Sequence, residues 1–164
     1  IEETPPLEKN GIGVKVAQFS YNRLTGAIPN LGVVMQSTGE VAAISDCFEI
    51  ALLNALTSVG YRWPLTKILI DFELSKLKTA LNSLETKGIV FVQLKDLIAS
   101  DLSLKLDQNK SFQNKSSFDL FISTNRLNGM YRRAAIEANI PLMMNFRLAV
   151  AFLKAYFKKL ELDQ

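Results

Sequence analysis

The second half of the chain alternates short apolar runs with segments whose apolar residues recur at helical spacing. The apolar runs lie at 67–72, 89–94, 118–123 and 140–144, and we predict a strand at each. Helices are predicted from Leu74 to a stop at Gly88, and over 96–106, 129–138 and 146–160. The inward-facing residues of the last helix are predicted to be Phe146, Ala149, Val150, Leu153, Phe157 and Leu160. Continuously apolar strands alternating with amphipathic helices predict an α/β fold, a small parallel sheet covered by helices.

The first half of the chain reads differently, because strand-like pieces precede a single helix. From Val14 to Ala43 the pattern is β-like, with turn residues at Gly26, Pro29-Asn30 and Thr38-Gly39. This stretch is too small to form its own core and is typical of edge elements from a larger domain. A helix follows from an N-cap at Asp46 to Gly60, and a linker around Pro64 ends it. We therefore predict three parts, at 1–45, 46–66 and 67–164.

Composition excludes several kinds of site. The 164 residues include no histidine and one cysteine, which excludes histidine-based triads, histidine acid–base catalysis and a zinc site within the chain. Neither a GxGxxG nor a GxxxxGK[ST] phosphate loop occurs. The formal charge of +3 is a mild and scattered excess, so we expect no nucleic-acid partner.

The same counts set expectations about the compartment and extent of the protein. No apolar run is long enough to span a membrane, and no signal peptide is recognisable. The lone Cys47 is expected to fill space in the core, in a reducing compartment. Because the chain opens on Ile1, we expect a fragment of a longer protein.

Residues 121–145 hold the candidate site. An apolar strand stops at Ser123-Thr124-Asn125, and the pair Arg132-Arg133 follows shortly before the fourth strand. Open α/β sheets bind ligands at the carboxyl ends of their strands, which is where these polar residues are expected to lie.

Three stretches resemble a known family, the large subunit of carbamoyl phosphate synthetase. Residues 16–45 resemble the end of its second ATP-grasp half, through Gln18, Phe19, Ser20, Arg23, Leu24, Gly26, Ala27, Pro29, Leu31, Gly32, Met35, Ser37, Thr38, Gly39, Glu40 and Val41. Residues 48–70 resemble the helix and linker that follow, and 118–155 resemble the carboxy-terminal regulatory domain, which has a methylglyoxal-synthase-like fold. The resemblance is weak from about 71 to 117.

The resemblance implies a function and its partners. In the family this domain binds a small anionic effector: a nucleotide, phosphoribosyl pyrophosphate or N-acetylglutamate. The parent enzyme makes carbamoyl phosphate from bicarbonate, ATP and ammonia or glutamine, for pyrimidine or arginine biosynthesis. ATP, Mg²⁺ and K⁺ are expected there, together with the rest of the synthetase and a glutaminase domain or subunit. No cofactor, metal or catalytic residue is expected in this chain. A homo-oligomer is possible. We expect the protein in the cytoplasm or, for a urea- or arginine-pathway member, in the mitochondrial matrix.

Two loops supply the predicted effector site. After the third strand, Ser123, Thr124, Asn125 and Asn128 offer donors, and Arg132 or Arg133 could hold an anion by a bidentate pair. After the second strand, Gln93 and Asp96 stand where the family has threonines, and Lys95 could offset the repulsion between Asp96 and an anion. The alternative for both arginines is a place on the helix surface, one paired with Glu137. The polar stretch 107–117 is either a mobile lid or a sign of a partly formed pocket.

Two other functions remain open. The effector site could be degenerate, which would leave a purely structural or oligomerising domain. The chain could also be a methylglyoxal synthase, a lyase, although that enzyme uses histidine and Asp71 does not clearly match its aspartate.

Overall fold

Four parallel strands form the central sheet of the protein, in the order β4-β3-β5-β6. The computed structural model describes residues 11–30, 32, 37–81, 88–100 and 118–163. The strands are β1 Ile12–Gln18, β2 Gly39–Ser45, β3 Lys67–Ile70, β4 Val90–Gln93, β5 Leu120–Ile122 and β6 Leu142–Met143. The helices are α1 Phe48–Ser58, α2 Leu74–Ala80, α3 Leu94–Ser100, α4 Gly129–Glu137 and α5 Phe146–Leu162, with single 3₁₀ turns at Tyr21–Arg23 and Arg126–Asn128. The predicted α/β class is confirmed.

Each face of the sheet carries its own core, because successive strand residues point to opposite sides. On one face, Ile68 and Ile70 of β3 pack with α1, α2 and α5. On the other face, Leu69 of β3 and Phe121 of β5 pack against α3 and α4. Both faces of β3 and β5 are therefore covered, as a parallel sheet requires.

The edge strand β4 departs from the prediction of a buried strand. Val90 is exposed, and the other three residues of β4 are only half-buried. The strand pairs only with β3 in the described sheet. Its apolar sequence alone could not distinguish an edge position from a central one.

Strands β1 and β2 form a separate antiparallel ribbon. Gly13 pairs with Ile44 and Gln18 with Gly39, so the seven residues of each strand are in full register. Val14 and Val16 on its inner face are half-buried against the core that contains α1. The ribbon thus adds its apolar side to the α/β core, in agreement with the prediction that it has no core of its own.

Two helices end in the same left-handed turn. After α1, Gly60 has φ +102°, and the N–H of Tyr61 donates to the carbonyl of Leu56. After α4, Asn139 takes the same place with φ 56°, and the N–H of Ile140 donates to Ala135. This closing turn favours residues that tolerate positive φ, glycine first and asparagine second.

The start of α1 differs from the prediction by one residue. Its N-cap is Cys47, whose side chain makes no capping hydrogen bond, and Asp46 lies one position earlier. Glu49 lies in the first turn instead. Its pKa is lowered, first by a hydrogen bond from Lys158 and then by a backbone amide. A carboxylate in the first turn suits the helix dipole.

All six predicted inward-facing residues of the last helix belong to the core or pack against it. Ala149, Leu153 and Phe157 are buried, whereas Phe146, Val150 and Leu160 are half-buried. None of the helices formed by the described residues is both long and apolar enough to cross a bilayer. Residues 31 and 33–36 of the predicted β-like stretch, 82–87 and 101–106 of two predicted helices, and the polar stretch 107–117 lie outside the described residues.

Candidate functional site

The carboxyl ends of β3 and β5 bring one carboxylate and several donors together. The two strands are neighbours in the sheet, so Asp71 follows β3 directly beside Ser123, which follows β5. Asp71 Oδ1 accepts the backbone N–H of Thr124 at 2.8 Å, and Oδ2 accepts that of Asn125 at 3.1 Å. Oδ2 also accepts the Ser123 hydroxyl at 2.6 Å and the side-chain amide of Asn128 at 3.1 Å. We call these five residues the strand-end cluster.

Arg132 joins the strand-end cluster to an earlier part of the chain. Its Nε donates to Ser123 Oγ at 2.7 Å, and its Nη2 donates to the carbonyl of Asn125 at 2.8 Å. Its Nη1 donates to the carbonyl of Pro29 at 3.2 Å and to Asn30 Oδ1 at 2.8 Å. The side chain is 2% exposed. Burial lowers the pKa of Arg132 from its ordinary value, and the charge of Asp71 acts in the opposite direction.

Arg133 binds the same part of the chain from the next position on α4. Its Nη1 donates to the carbonyls of Tyr21 at 2.9 Å, Leu24 at 2.7 Å and Ala27 at 3.4 Å. Its Nε pairs with Glu137 at 2.7 Å, one helical turn along α4. The arginine–glutamate pair agrees with the alternative interpretation of the sequence, but the Arg133 side chain is only 8% exposed and does not lie on the surface.

Residues 21–30 therefore form a loop held by both arginines, which we call the arginine-bound loop. Within it, the N–H groups of Arg23, Leu24 and Ala27 donate to local carbonyls. Its Ile28 lies so close to Gly129 that a β-carbon at Gly129 would be 2.5 Å from Ile28 Cγ2. The absence of a side chain at the start of α4 lets the loop approach the helix.

The loop predicted after the second strand is absent, because Gln93 ends β4 and α3, which holds Lys95 and Asp96, begins at the next residue. These side chains make their contacts elsewhere. Gln93 Nε2 donates to Asp96 Oδ2 at 3.3 Å. The Lys95 ammonium pairs with Glu73, whose hydrogen bond raises the pKa of Lys95. Among the described residues, no hydrogen bond joins these side chains to Asp71. The structure thus brings together the predicted residues that follow β5 and those on α4, and leaves those at the end of β4 and in α3 apart.

The prediction did not include Asp71 as a site residue. Its signal in the sequence is an acidic residue directly after the apolar run KILI. That signal becomes informative only once β3 and β5 are known to be neighbours, because the partners of Asp71 lie 52 to 57 residues further along the chain. Sequence spacing does not reveal such an adjacency.

No profile of a known protein family matches the chain. The chain is 33% identical to the multifunctional protein pyrABCN of Emericella nidulans over 190 aligned positions, which cover 93% of the chain and 8% of that protein. It is also 33% identical to the carbamoyl phosphate synthase large chain of Pyrococcus furiosus, over 93% of the chain and 15% of that protein. The corresponding large chain of Saccharolobus solfataricus is 31% identical over 87% of the chain and 14% of its own length.

The chain is homologous to the carbamoyl phosphate synthase large chain. The resemblance inferred from residues 16–45 and 118–155 is confirmed by these matches, which extend over most of the chain. The chain spans between 8% and 15% of the length of these relatives.

Two cavities lie among the described residues of the chain. None of the predicted site residues lines either of them. One of about 360 Å³ lies between the end of β1 and the α4–β6 connection, beside Phe19, Arg62 and Asn139. The other, of about 690 Å³, lies between α1 and α5, beside Cys47 and Trp63. The strand-end cluster is therefore not part of either cavity. Its four hydrogen-bond donors already share one acceptor, the Asp71 carboxylate.

Proposed function

We propose that the chain is the carboxy-terminal regulatory region of a carbamoyl phosphate synthetase and is not catalytic by itself. Its role is to couple the strand-end cluster of the α/β domain to the arginine-bound loop. Homology over 93% of the chain to synthase large chains supports the assignment to this enzyme. Formation of carbamoyl phosphate from bicarbonate, ATP and ammonia or glutamine, with Mg²⁺ and K⁺, is assigned to the remainder of the synthetase and its glutaminase partner.

The observation that carries the proposal is the pair of buried arginines on α4. Arg132 donates to Pro29 and Asn30, and Arg133 donates to three further carbonyls of the same loop. Charge-assisted hydrogen bonds of a rigid guanidinium fix both distance and direction. A shift of α4 is therefore transmitted directly to the arginine-bound loop.

Ser123 is the link between the cluster and Arg132. Its hydroxyl donates to Asp71 and accepts from Arg132, so one oxygen touches both charged groups. A hydroxyl has a single proton to donate, and here that proton goes to Asp71. Any change in the acceptor beside Ser123 changes the hydrogen bond that orients Arg132.

Hydrogen exchange of the chain tests this coupling. The amides of Arg23, Leu24 and Ala27 in the arginine-bound loop donate to carbonyls three residues earlier and should be protected. In Asp71→Ala we expect faster exchange at these three amides, because Arg132 loses its oriented partner. Unchanged exchange in the loop would contradict the coupling.

Asp119→Ala is the matched control for that experiment. Asp119 accepts two hydrogen bonds from Thr66, at 2.6 and 2.8 Å, and one from Lys67 at 2.8 Å. It lies before β5, at the opposite end of the sheet from Asp71. Its loss removes a similar set of hydrogen bonds without touching Arg132, so exchange in the arginine-bound loop should stay as in the wild type.

A second candidate function is the binding of an external anionic effector. This function requires the anion to displace Asp71 from the donors of Ser123, Thr124, Asn125 and Asn128. Their convergence on one carboxylate favours it, since these are the residues that the family resemblance assigns to the effector. A thermal-shift panel of UMP, UTP, IMP, phosphoribosyl pyrophosphate, ornithine and N-acetylglutamate tests it. A true effector at 100 times its Kd stabilises by about 2.7 kcal/mol, and the absence of any shift would count against this candidate.

A further inference from the structure

Asp71 receives the set of hydrogen bonds that a small anion receives in a built binding site. Two consecutive backbone N–H groups, one hydroxyl and one side-chain amide all point at its carboxylate, at 2.6 to 3.1 Å. Oriented backbone amides with added hydroxyl and amide donors are typical of sites for carboxylates and phosphates.

These contacts do not serve a local turn around Asp71. All of its donors lie at least 52 residues away in sequence, on the loop after β5 and at the start of α4. Asp71 itself is the first residue after β3, and its own N–H donates to the carbonyl of Ile122 at 3.3 Å. The sheet therefore places this carboxylate among donors that all come from one distant loop.

We propose that the Asp71 carboxylate is a tethered substitute for an anionic ligand, so that the strand-end cluster is permanently occupied by the chain's own anion. This inference rests on the proposed function, because it treats the cluster as a regulatory site. The chemistry that the cluster recognises is that of a small carboxylate. With the four donors engaged and a negative charge in place, a second anion finds like charge and few free donors there.

The consequence is a regulatory region held in one state. With Asp71 in place, Ser123 donates to it and Arg132 is oriented toward the arginine-bound loop without any external molecule. Removal of the carboxylate should open a vacant site whose donors lack an acceptor. The vacancy should then accept a free anion of matching size.

Chemical rescue tests the inference. Asp71→Ala keeps the β-carbon and removes only the carboxylate, so formate supplies the missing atoms. We expect a lower Tm for Asp71→Ala and recovery of at least about half of the loss in formate. The Kd should be on the order of 1 mM or weaker, since a three-atom ligand cannot bind much more tightly. Sodium chloride at equal ionic strength should not restore the Tm, and formate should not shift the wild type beyond chloride.

Asp119→Ala is again the matched control, because it removes a carboxylate with a similar number of hydrogen bonds from the same sheet. Equal rescue of both variants by formate would show a general effect of the salt and would overturn the proposal. So would a folded Asp71→Ala that does not respond to formate.

A second variant keeps the test decisive if Asp71→Ala does not fold alone. If Asp71→Ala is unfolded alone, recovery of its far-ultraviolet circular dichroism by formate would support the proposal. Asp71→Asn keeps the shape and removes the charge, so we expect a lower Tm, no response to formate and altered amide chemical shifts at Thr124 and Asn125. An Asp71→Asn protein with wild-type Tm and shifts would overturn the proposal.

The two proposals fail in different ways. Lack of rescue combined with faster exchange in the arginine-bound loop of Asp71→Ala would remove the substitute-ligand inference and leave the coupling intact. Rescue by formate without any change in loop exchange would support the substitute-ligand inference and remove the coupling.

Discussion

Replacement of Arg132 by alanine is the most direct perturbation of the proposed coupling. The side chain is 2% exposed and donates to Ser123, Asn125, Pro29 and Asn30. Its removal leaves buried acceptors without donors and removes the cation that is joined to Asp71 through Ser123. Removal of one member of a buried charged network costs about 3–5 kcal/mol, and each buried group left unpaired costs about 1–3 kcal/mol.

We therefore expect Arg132→Ala to lower the free energy of unfolding by about 4 kcal/mol. For a chain of this size that corresponds to a Tm lower by about 8–16 °C. Equilibrium unfolding in urea measures the change. Arg132→Lys should recover little of it, because an ammonium cannot reach the four separate acceptors that the planar guanidinium serves.

Arg126→Ala is the control for loss of one positive charge near the cluster. Arg126 is exposed, and its charge contributes to the lowered pKa of Arg132. Its removal should change the free energy of unfolding by less than about 0.5 kcal/mol. If Arg132→Ala were as stable as Arg126→Ala, the hydrogen bonds of Arg132 would not hold the arginine-bound loop, and the reasoning would be refuted.

Three further predictions concern the same interface and its surroundings. Gly129→Ala should cost about 1–3 kcal/mol in urea unfolding, because its β-carbon would meet Ile28, and an unchanged midpoint would contradict that close approach. Asn139 has φ 56°, so Asn139→Ala should lower the free energy of unfolding in urea by about 1 kcal/mol, whereas Asn139→Gly should leave it nearly unchanged. Equal losses in the two variants would contradict the left-handed turn. Burial raises the pKa of Tyr61, so folding stability should fall by about 1.4 kcal/mol per unit as pH rises above about 10. Tyr61→Phe should reduce that slope, measured by urea unfolding at several pH values. An unchanged slope would refute the attribution of the pH dependence to the buried Tyr61 hydroxyl.

The local elements could be predicted from sequence because their signals are local. The apolar runs and helical spacing from Lys67 onward predict the type and order of the described strands and helices. Their bounds agree less well, since Leu94, predicted at the end of a strand, begins α3, and residues 82–87 and 101–106 of two predicted helices lie outside the described residues. The pair formed by Arg133 and Glu137 is likewise a neighbour effect within one helix. Each of these features depends only on residues that are close together in the sequence.

The candidate site was only half predictable, because its contacts join distant segments. Ser123 and Arg132 were expected at the site from the strand end and the arginine pair. Their true partners, Asp71 and Pro29, lie 52 and 103 residues away from them respectively. Strand order and the path of the arginine-bound loop decide such contacts, and neither is encoded in periodicity.

Charge balance explains why the proposed coupling and the substitute ligand belong to one network. Asp71 contributes one negative charge and Arg132 one positive charge, joined through the Ser123 hydroxyl. A buried guanidinium is costly unless it is paired and its hydrogen bonds are satisfied. In a cluster with an external effector, that pairing would come and go with the ligand, and so would the orientation of Arg132. With Asp71 built into the chain, the pairing is permanent, and the arginine-bound loop is held whether or not any small anion is present.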